Sequence, residues 1–256
     1  MIYKRFAANL RAQNWSAITI ELGIVVVGVF IGTQVSNWNQ EQGQKREAQR
    51  MLAQLKPNLQ SLTDYYDSAK IYYATTRRYA ATALAGWRGD PAVSDSDFVI
   101  AAYQASQIIG IATNGSAWAI VLGADQLRRI DDQAIRSDLS FLLSADYTLL
   151  DVASVNTPYR QNVRRWIPIE LQDAIRSRCG DRPRPDKPLF TSLPATCDLI
   201  IAPDVAAKAA TVLRAHPDLM QDLQWHMAAQ AAMLANIPAF ELTTDDLQRR
   251  IAGIKQ

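Results

Sequence analysis

The stretch "ITIELGIVVVGVFIGTQVSNW", residues 18–38, decides how this chain is built. Trp15 and Trp38 bracket its apolar run, and a helix between them is about 35 Å long at about 1.5 Å per residue. The hydrocarbon core of a bilayer is about 30 Å thick, so both indoles reach the membrane interfaces, where Trp is favoured. We therefore predict a transmembrane helix over 15–38. The alternatives are a buried core helix and a cleaved signal peptide, but no small-x-small cleavage site follows in "TQVSNWN".

The short segment before this helix predicts its orientation. Lys4, Arg5 and Arg11 precede the apolar run, and positive charge close to a membrane span favours the cytoplasmic side. Residues 1–14 are then a cytoplasmic tail. Residues 39–256 form a domain outside the cytoplasm, which in a bacterium is the periplasm.

One carboxylate interrupts the apolar run. On a helical wheel at about 100° per residue, Glu21 shares a stripe with Ala17, Gly28 and Gly32. Small residues four apart let two helices approach closely, and a carboxylate in a membrane usually faces protein or water. The pattern predicts a helix–helix interface here. The alternative is that Glu21, near the cytoplasmic end, reaches the interface and has no partner.

Two resemblances attach to these residues. The segments "NWSAITIELGIVVVGVFIGTQVSNWNQE" and "NGSAWAIVLGADQLRRIDDQAIRSDLSFLLSADYTLL" are similar to a family of uncharacterised bacterial single-pass inner-membrane proteins. That resemblance implies a topology and no activity.

The segment "AITIELGIVVVGVFIG" also resembles the start of a type IV pilin, in which a Glu is fifth in the mature chain. Cleavage after Ser16 would make Glu21 fifth. The chain departs from the pilin pattern because Ser16 and Ala17 stand where Gly and Phe are usual.

A second helix is predicted beyond the anchor, from about Asn39 to Ala85, with Pro57 kinking it or marking a join. Apolar and small residues step by three and four along it, which is a heptad pattern. This seam indicates either a homotypic coiled coil or one wall of an intramolecular bundle, and its Ala, Thr and Tyr positions favour the bundle. The seam residues are Leu52, Leu55, Leu59, Leu62, Tyr66, Ala69, Tyr73, Thr76, Ala80 and Ala83.

The rest of the chain also reads as helical, so the predicted fold class is all-α, with one transmembrane helix and a helical-bundle periplasmic domain. Short apolar runs such as "CDLIIA" are the only candidates for strands. One predicted helix follows the caps in "WRGDPAVSDSD" and ends at Ile109, a short one runs from a cap at Ser116 to Gly123, and a long one begins at Asp131 or Asp132 and continues through "DYTLLDVASVN". Three more helices are predicted near Asp204–His216, Asp218–Asn236 and Thr244–Ile254.

Cys179 and Cys197 are the two cysteines, and they bound a loop that contains four prolines. In an oxidising compartment this arrangement predicts a disulfide. The pair does not fit the spacing of a zinc site, and His216 and His226 lie on either side of Pro217, so we predict no metal and no cofactor.

Basic residues cluster at Arg160, Arg164 and Arg165. They predict either a solvated helix face or a patch for the acidic groups of a partner or a lipid. Apart from the bases of the tail and Glu21, basic and acidic residues are equal in number, at 24 each, which gives no reason to expect a nucleic-acid partner.

No nucleophile elbow, zincin motif or phosphate-binding glycine loop occurs in the chain. We therefore expect a non-enzymatic interaction or accessory subunit that contacts the membrane and binds other membrane proteins or copies of itself. The alternatives are a pilin-like filament or secretion subunit and a periplasmic ligand sensor acting through a partner.

Overall fold

The computed structural model describes residues 15–111 and 127–253, and the described chain is all-α apart from one very small sheet. Its main element is helix α1, Trp15–Trp87, which is 73 residues and about 110 Å long. The predicted anchor and the predicted second helix are thus one element. The helix continues through Pro57, so the predicted join is not found there. Pro57 and Ala53 are both exposed, so water can solvate the carbonyl that loses its N–H partner.

The heptad seam of α1 is the centre of the core. All ten predicted seam residues are buried, and Leu55, Leu59 and Tyr66 have no exposed surface. The seam packs against other helices of the same chain, which is the intramolecular bundle that the pattern favoured.

Helix α2, Asp95–Gln104, packs against the upper part of α1, and Ser94 accepts a hydrogen bond from the Asp97 amide as its N-cap. The helix ends before the predicted Ile109. The predicted helix from Ser116 to Gly123 lies outside the described residues.

Helix α3, Gln133–Ser144, begins at the predicted cap, because the Asp132 carboxylate accepts from two backbone amides. The prediction of one long helix up to Pro158 was wrong. Asp146 and Asp151 each accept from an amide two residues ahead and so begin separate 3₁₀ turns. These turns are Tyr147–Leu150 and Val152–Val155.

Two prolines, Pro158 and Pro168, stand at the starts of the next two helices. Helix α4 is Pro158–Trp166, and α5 is Ile169–Cys179, with Pro168 as its N-cap. After α5 come two short antiparallel strands, β1 Arg182–Pro183 and β2 Thr191–Ser192, inside the loop between the cysteines.

Three helices complete the chain: α6 Pro203–Arg214, α7 Asp218–Leu234 and α8 Ile237–Gly253. The last begins seven residues before the predicted Thr244. The run "CDLIIA" forms no strand. Helix α8 lies antiparallel to α1, as the hydrogen-bonded pairs Lys70–Glu241 and Thr63–Gln248 show, and α7 contacts α1 through the pair Thr76–Gln230.

Candidate functional site

The first third of α1 lies outside the packed domain. Among the described residues it is the one helix long and apolar enough to cross a membrane, and none of its apolar window is buried. Trp15 and Trp38, at the two ends of the predicted span, are 67% and 60% exposed. The first buried residue of α1 is Ala48, ten residues beyond Trp38. This apolar surface is therefore not covered by the described part of the chain.

The predicted interface stripe lies on this exposed segment. A Cβ built on Gly28 or Gly32 meets no atom within 4 Å, while Ala17 and Glu21 are half-buried. None of the apolar window around the stripe is buried, so the described part of the domain leaves room there for another helix.

The arginine cluster on α4 is divided between the interior and the surface. Arg160 donates to the Ser106 carbonyl at 2.6 Å, and Arg164 donates to the Ser106 hydroxyl at 3.1 Å and to the Gln107 side chain at 3.0 Å. Both guanidinium groups thus lie at the C-terminal end of α2, where positive charge is favourable. Arg165 points to solvent.

A second layer of polar groups surrounds these arginines. The Arg164 guanidinium lies 4.8 Å from the centre of the Tyr103 ring. The Asp181 carboxylate accepts from the Tyr72 hydroxyl at 2.8 Å, and loss of hydration raises the pKa of Asp181, although Tyr72, Arg160 and Arg164 oppose the rise. Neither Tyr103 nor Asp181 was singled out from the sequence. No local pattern marks them, because α2, α4 and α5 bring them together from distant parts of the chain.

His226 is the centre of a separate polar network in the core. It has no exposed surface, and its ring nitrogens lie 2.7 Å from the Thr157 hydroxyl and 2.9 Å from the Gln230 amide nitrogen. The Thr76 hydroxyl, which lies 2.9 Å from the Tyr73 carbonyl and 3.1 Å from the Gln230 side chain, extends this network to α1. Burial first, and then the positive charge of Arg160, lower the pKa of His226 to about 4.

His216 lies in a different environment. Its ring stacks on Trp166, with the ring centres 3.7 Å apart, so the two histidines have separate partners. Within residues 15–111 and 127–253, no cluster of His, Cys, Asp or Glu is arranged to hold a metal ion.

Cys179 and Cys197 lie at disulfide distance, with their Cα atoms 5.4 Å apart. Cys179 is buried beside α2, where Gln104 donates to its carbonyl at 2.6 Å. The pair closes the loop that carries β1 and β2 and holds Asp181 close to α1.

The chain matches no protein-family model, no curated protein and no solved structure. The two resemblances drawn from the sequence accordingly stay predictions.

Proposed function

We propose that this protein is a non-enzymatic interaction subunit of a bacterial inner-membrane assembly. Residues 1–14 are its cytoplasmic tail, 15–38 its membrane anchor and 39–256 its periplasmic domain. The observation that supports this most directly is the continuity of α1, which runs from an exposed apolar segment into the centre of a packed domain.

The continuity of α1 holds the domain close to the membrane surface. Ala48 lies about 15 Å along the helix from Trp38 at about 1.5 Å per residue. Two ion pairs connect the part of α1 between Trp38 and Ala48 to the loop before α3: Lys45–Asp131 at 3.1 Å and Arg129–Glu47 at 3.3 Å. These pairs link the end of the anchor helix to the base of the domain.

The cysteine pair supports a location outside the cytoplasm, because disulfides persist in oxidising compartments. Charge alone does not decide the orientation. Three bases precede the anchor, and Lys45, Arg46, Arg50 and Lys56 follow Trp38 within twenty residues.

The position of the stripe favours protein–protein interaction as the purpose of the anchor. Gly28 and Gly32 are open, and none of the apolar window around them is buried, so a second helix can approach this segment closely. The partner is another membrane protein or a second copy of the chain.

The environments of the histidines favour a non-enzymatic role. His226 has no exposed surface, and its ring nitrogens hydrogen-bond to neighbouring side chains, while His216 stacks on Trp166. Neither is placed to act as a general base on a bound substrate.

The test is cross-linking of the full-length protein in native membranes. We expect Gly32→Leu to reduce the yield of cross-linked complexes several-fold, because a bulky side chain prevents close approach of two helices. Glu21→Gln keeps the shape of the side chain and tests its charge. Gly23→Leu, which adds the same bulk about 180° around an ideal helix from Gly32, is the matched control. Equal yields from Gly32→Leu and Gly23→Leu would show that the stripe is not an interface.

N-terminal sequencing of the membrane-extracted protein separates this proposal from the pilin-like alternative. A start at Met1 is expected for an uncleaved anchor. A start at Ala17 would establish pilin-like processing.

A further inference from the structure

We propose that the cluster around Arg164 is a binding site for a small oxyanion, a phosphate or a carboxylate. This inference goes beyond the proposed function, and only its exclusion of a lipid headgroup rests on the proposed membrane anchor. The cluster is formed by the C-terminal end of α2, by α4 and by α5.

The first observation is an excess of positive charge. Burial lowers the pKa of Arg164, and the nearby guanidinium groups of Arg160 and Arg176 lower it further. Arg176 pairs with Asp173, but Arg160 and Arg164 have no carboxylate within 4.0 Å among the described residues. Outside those residues the sequence contains a single acidic side chain, Asp125.

The second observation is a buried hydroxyl. Tyr103 has no exposed surface, and its hydroxyl has no hydrogen-bond partner within the described part of the chain. A buried hydroxyl without a partner is costly, so this group is available to a ligand as far as the described residues are concerned. The Tyr103 ring lies 4.8 Å from the Arg164 guanidinium, so it belongs to the same cluster.

The third observation is an unbalanced set of hydrogen-bonding groups. Arg160 uses Nη1 for Ser106, and Arg164 uses Nε and Nη2 for Ser106 and Gln107. Arg160 therefore keeps Nε and Nη2, and Arg164 keeps Nη1, without an acceptor among the described residues. Guanidinium nitrogens and a phenol hydroxyl are donors of the kind that bind an anion with two or more oxygen atoms.

The position of the cluster excludes a lipid headgroup as the source of the anion. Tyr72, whose partner Asp181 interacts with the same arginines, lies about 50 Å along α1 from Trp38 at about 1.5 Å per residue. Arg176 is exposed and gives the cluster its contact with solvent. A soluble anion of the surrounding compartment is therefore the ligand that this site fits.

The experiment measures the thermal unfolding midpoint of the full-length protein in detergent, with sodium phosphate or sodium citrate titrated against sodium chloride at equal ionic strength. We expect at least one oxyanion to raise the midpoint in a saturable way and chloride to have no such effect. Phosphate and citrate distinguish a phosphoryl ligand from a carboxylate ligand.

Three variants make the test specific. Tyr103→Phe and Arg176→Gln should each weaken the apparent affinity about tenfold, the effect of losing one hydrogen bond to a charged group. Arg165→Gln, which removes a neighbouring exposed charge, should respond like the wild type. Tyr103→Phe should not lower the midpoint in the absence of anion, because its hydroxyl has no partner to lose within residues 15–111 and 127–253.

The proposal is overturned if neither oxyanion raises the midpoint beyond chloride, or if Tyr103→Phe and Arg176→Gln respond like the wild type. It is also overturned if Tyr103→Phe lowers the midpoint without anion. Because these measurements need no association between chains, they stand or fall separately from the cross-linking test.

Discussion

The two parts of α1 are equally helical but differ in what surrounds them. In the lower part, before Ala48, apolar side chains point in most directions and are exposed; Val25 is 56% exposed and Phe30 61%. In the upper part the apolar side chains follow one seam, and Leu59 has no exposed surface. A bilayer surrounds a helix on all sides, whereas a bundle covers one face, and the distribution of apolar residues around α1 matches this difference.

The two parts of α1 should differ most in how much stability the domain loses when a leucine is replaced by alanine. Leu59→Ala removes a fully buried side chain from the seam and should lower the free energy of unfolding of the domain by about 2–5 kcal/mol. Leu22→Ala, at a position 60% exposed, should change it by less than about 0.5 kcal/mol. Chemical unfolding in detergent, followed by circular dichroism, compares the two, and equal losses would mean that the two parts share one environment.

The upper part is also expected to depend on pH through His226. Its pKa falls from about 6.5 in the unfolded chain to about 4 in the fold, so the unfolded state binds the proton first as pH decreases. Neutral His226 therefore contributes to the free energy of unfolding in full above about pH 6.5. This contribution of about 3 kcal/mol is lost progressively as pH falls to about 4.

The measurement is the difference in unfolding free energy between wild type and His226→Gln at several pH values. The raised pKa values of Asp138 and Asp181 make the fold more stable as pH decreases, which is opposite to the effect of His226. Both aspartates are present in wild type and variant, so their effect cancels in the difference between the two proteins. His216→Gln is the control and should keep the wild-type slope. If the unfolding free energy changes with pH by the same slope in His226→Gln and wild type, His226 is not the source of the pH dependence.

Replacing two glycines of α1 by alanine should change the stability of the domain in opposite directions, by smaller amounts. A Cβ on Gly86 would overlap the Phe98 ring, so Gly86→Ala should destabilise the domain by about 1–3 kcal/mol. A Cβ on Gly43 meets nothing within 4 Å, so Gly43→Ala should be neutral or stabilise the helix by up to about 1 kcal/mol. Thermal unfolding of both variants measures the contrast, and a stabilising Gly86→Ala would contradict the close packing of α1 on α2.

The smallest effect is expected where the two parts meet. The Lys45–Asp131 pair is largely exposed, at 48% and 73% for the two side chains. Asp131→Ala should therefore lower the free energy of unfolding by less than about 1 kcal/mol, and less in high salt. A larger loss that salt does not reduce would show that this junction is more tightly packed than the exposed fractions indicate.

The seam could be predicted from the sequence because burial on one face of a helix leaves a regular heptad pattern. Every residue from Leu52 to Ala83 that the pattern selected is buried. The end of α3 could not be predicted in this way. The carboxylates of Asp146 and Asp151 compete locally for backbone amides, and the apolar spacing continues through the turns they begin.

The arginine cluster was found in the sequence, but its surroundings were not. Arg160 and Arg164 contact Ser106 and Gln107, more than fifty residues earlier in the chain, and only the packing of α4 on α2 brings them together. Tyr103 gave no signal for a related reason, since a buried aromatic residue in an apolar helix is ordinarily part of the core.

The central claim is that α1 crosses the membrane below Ala48 and carries its domain on the periplasmic side. A reporter enzyme that is active only in the periplasm, fused after Gln256, tests it most directly, with a reporter active only in the cytoplasm at the same position as its counterpart. We expect the periplasmic reporter to be active and the cytoplasmic one to be silent. Activity of the cytoplasmic reporter alone would contradict both the orientation of the anchor and the oxidising environment in which Cys179 and Cys197 are expected to pair.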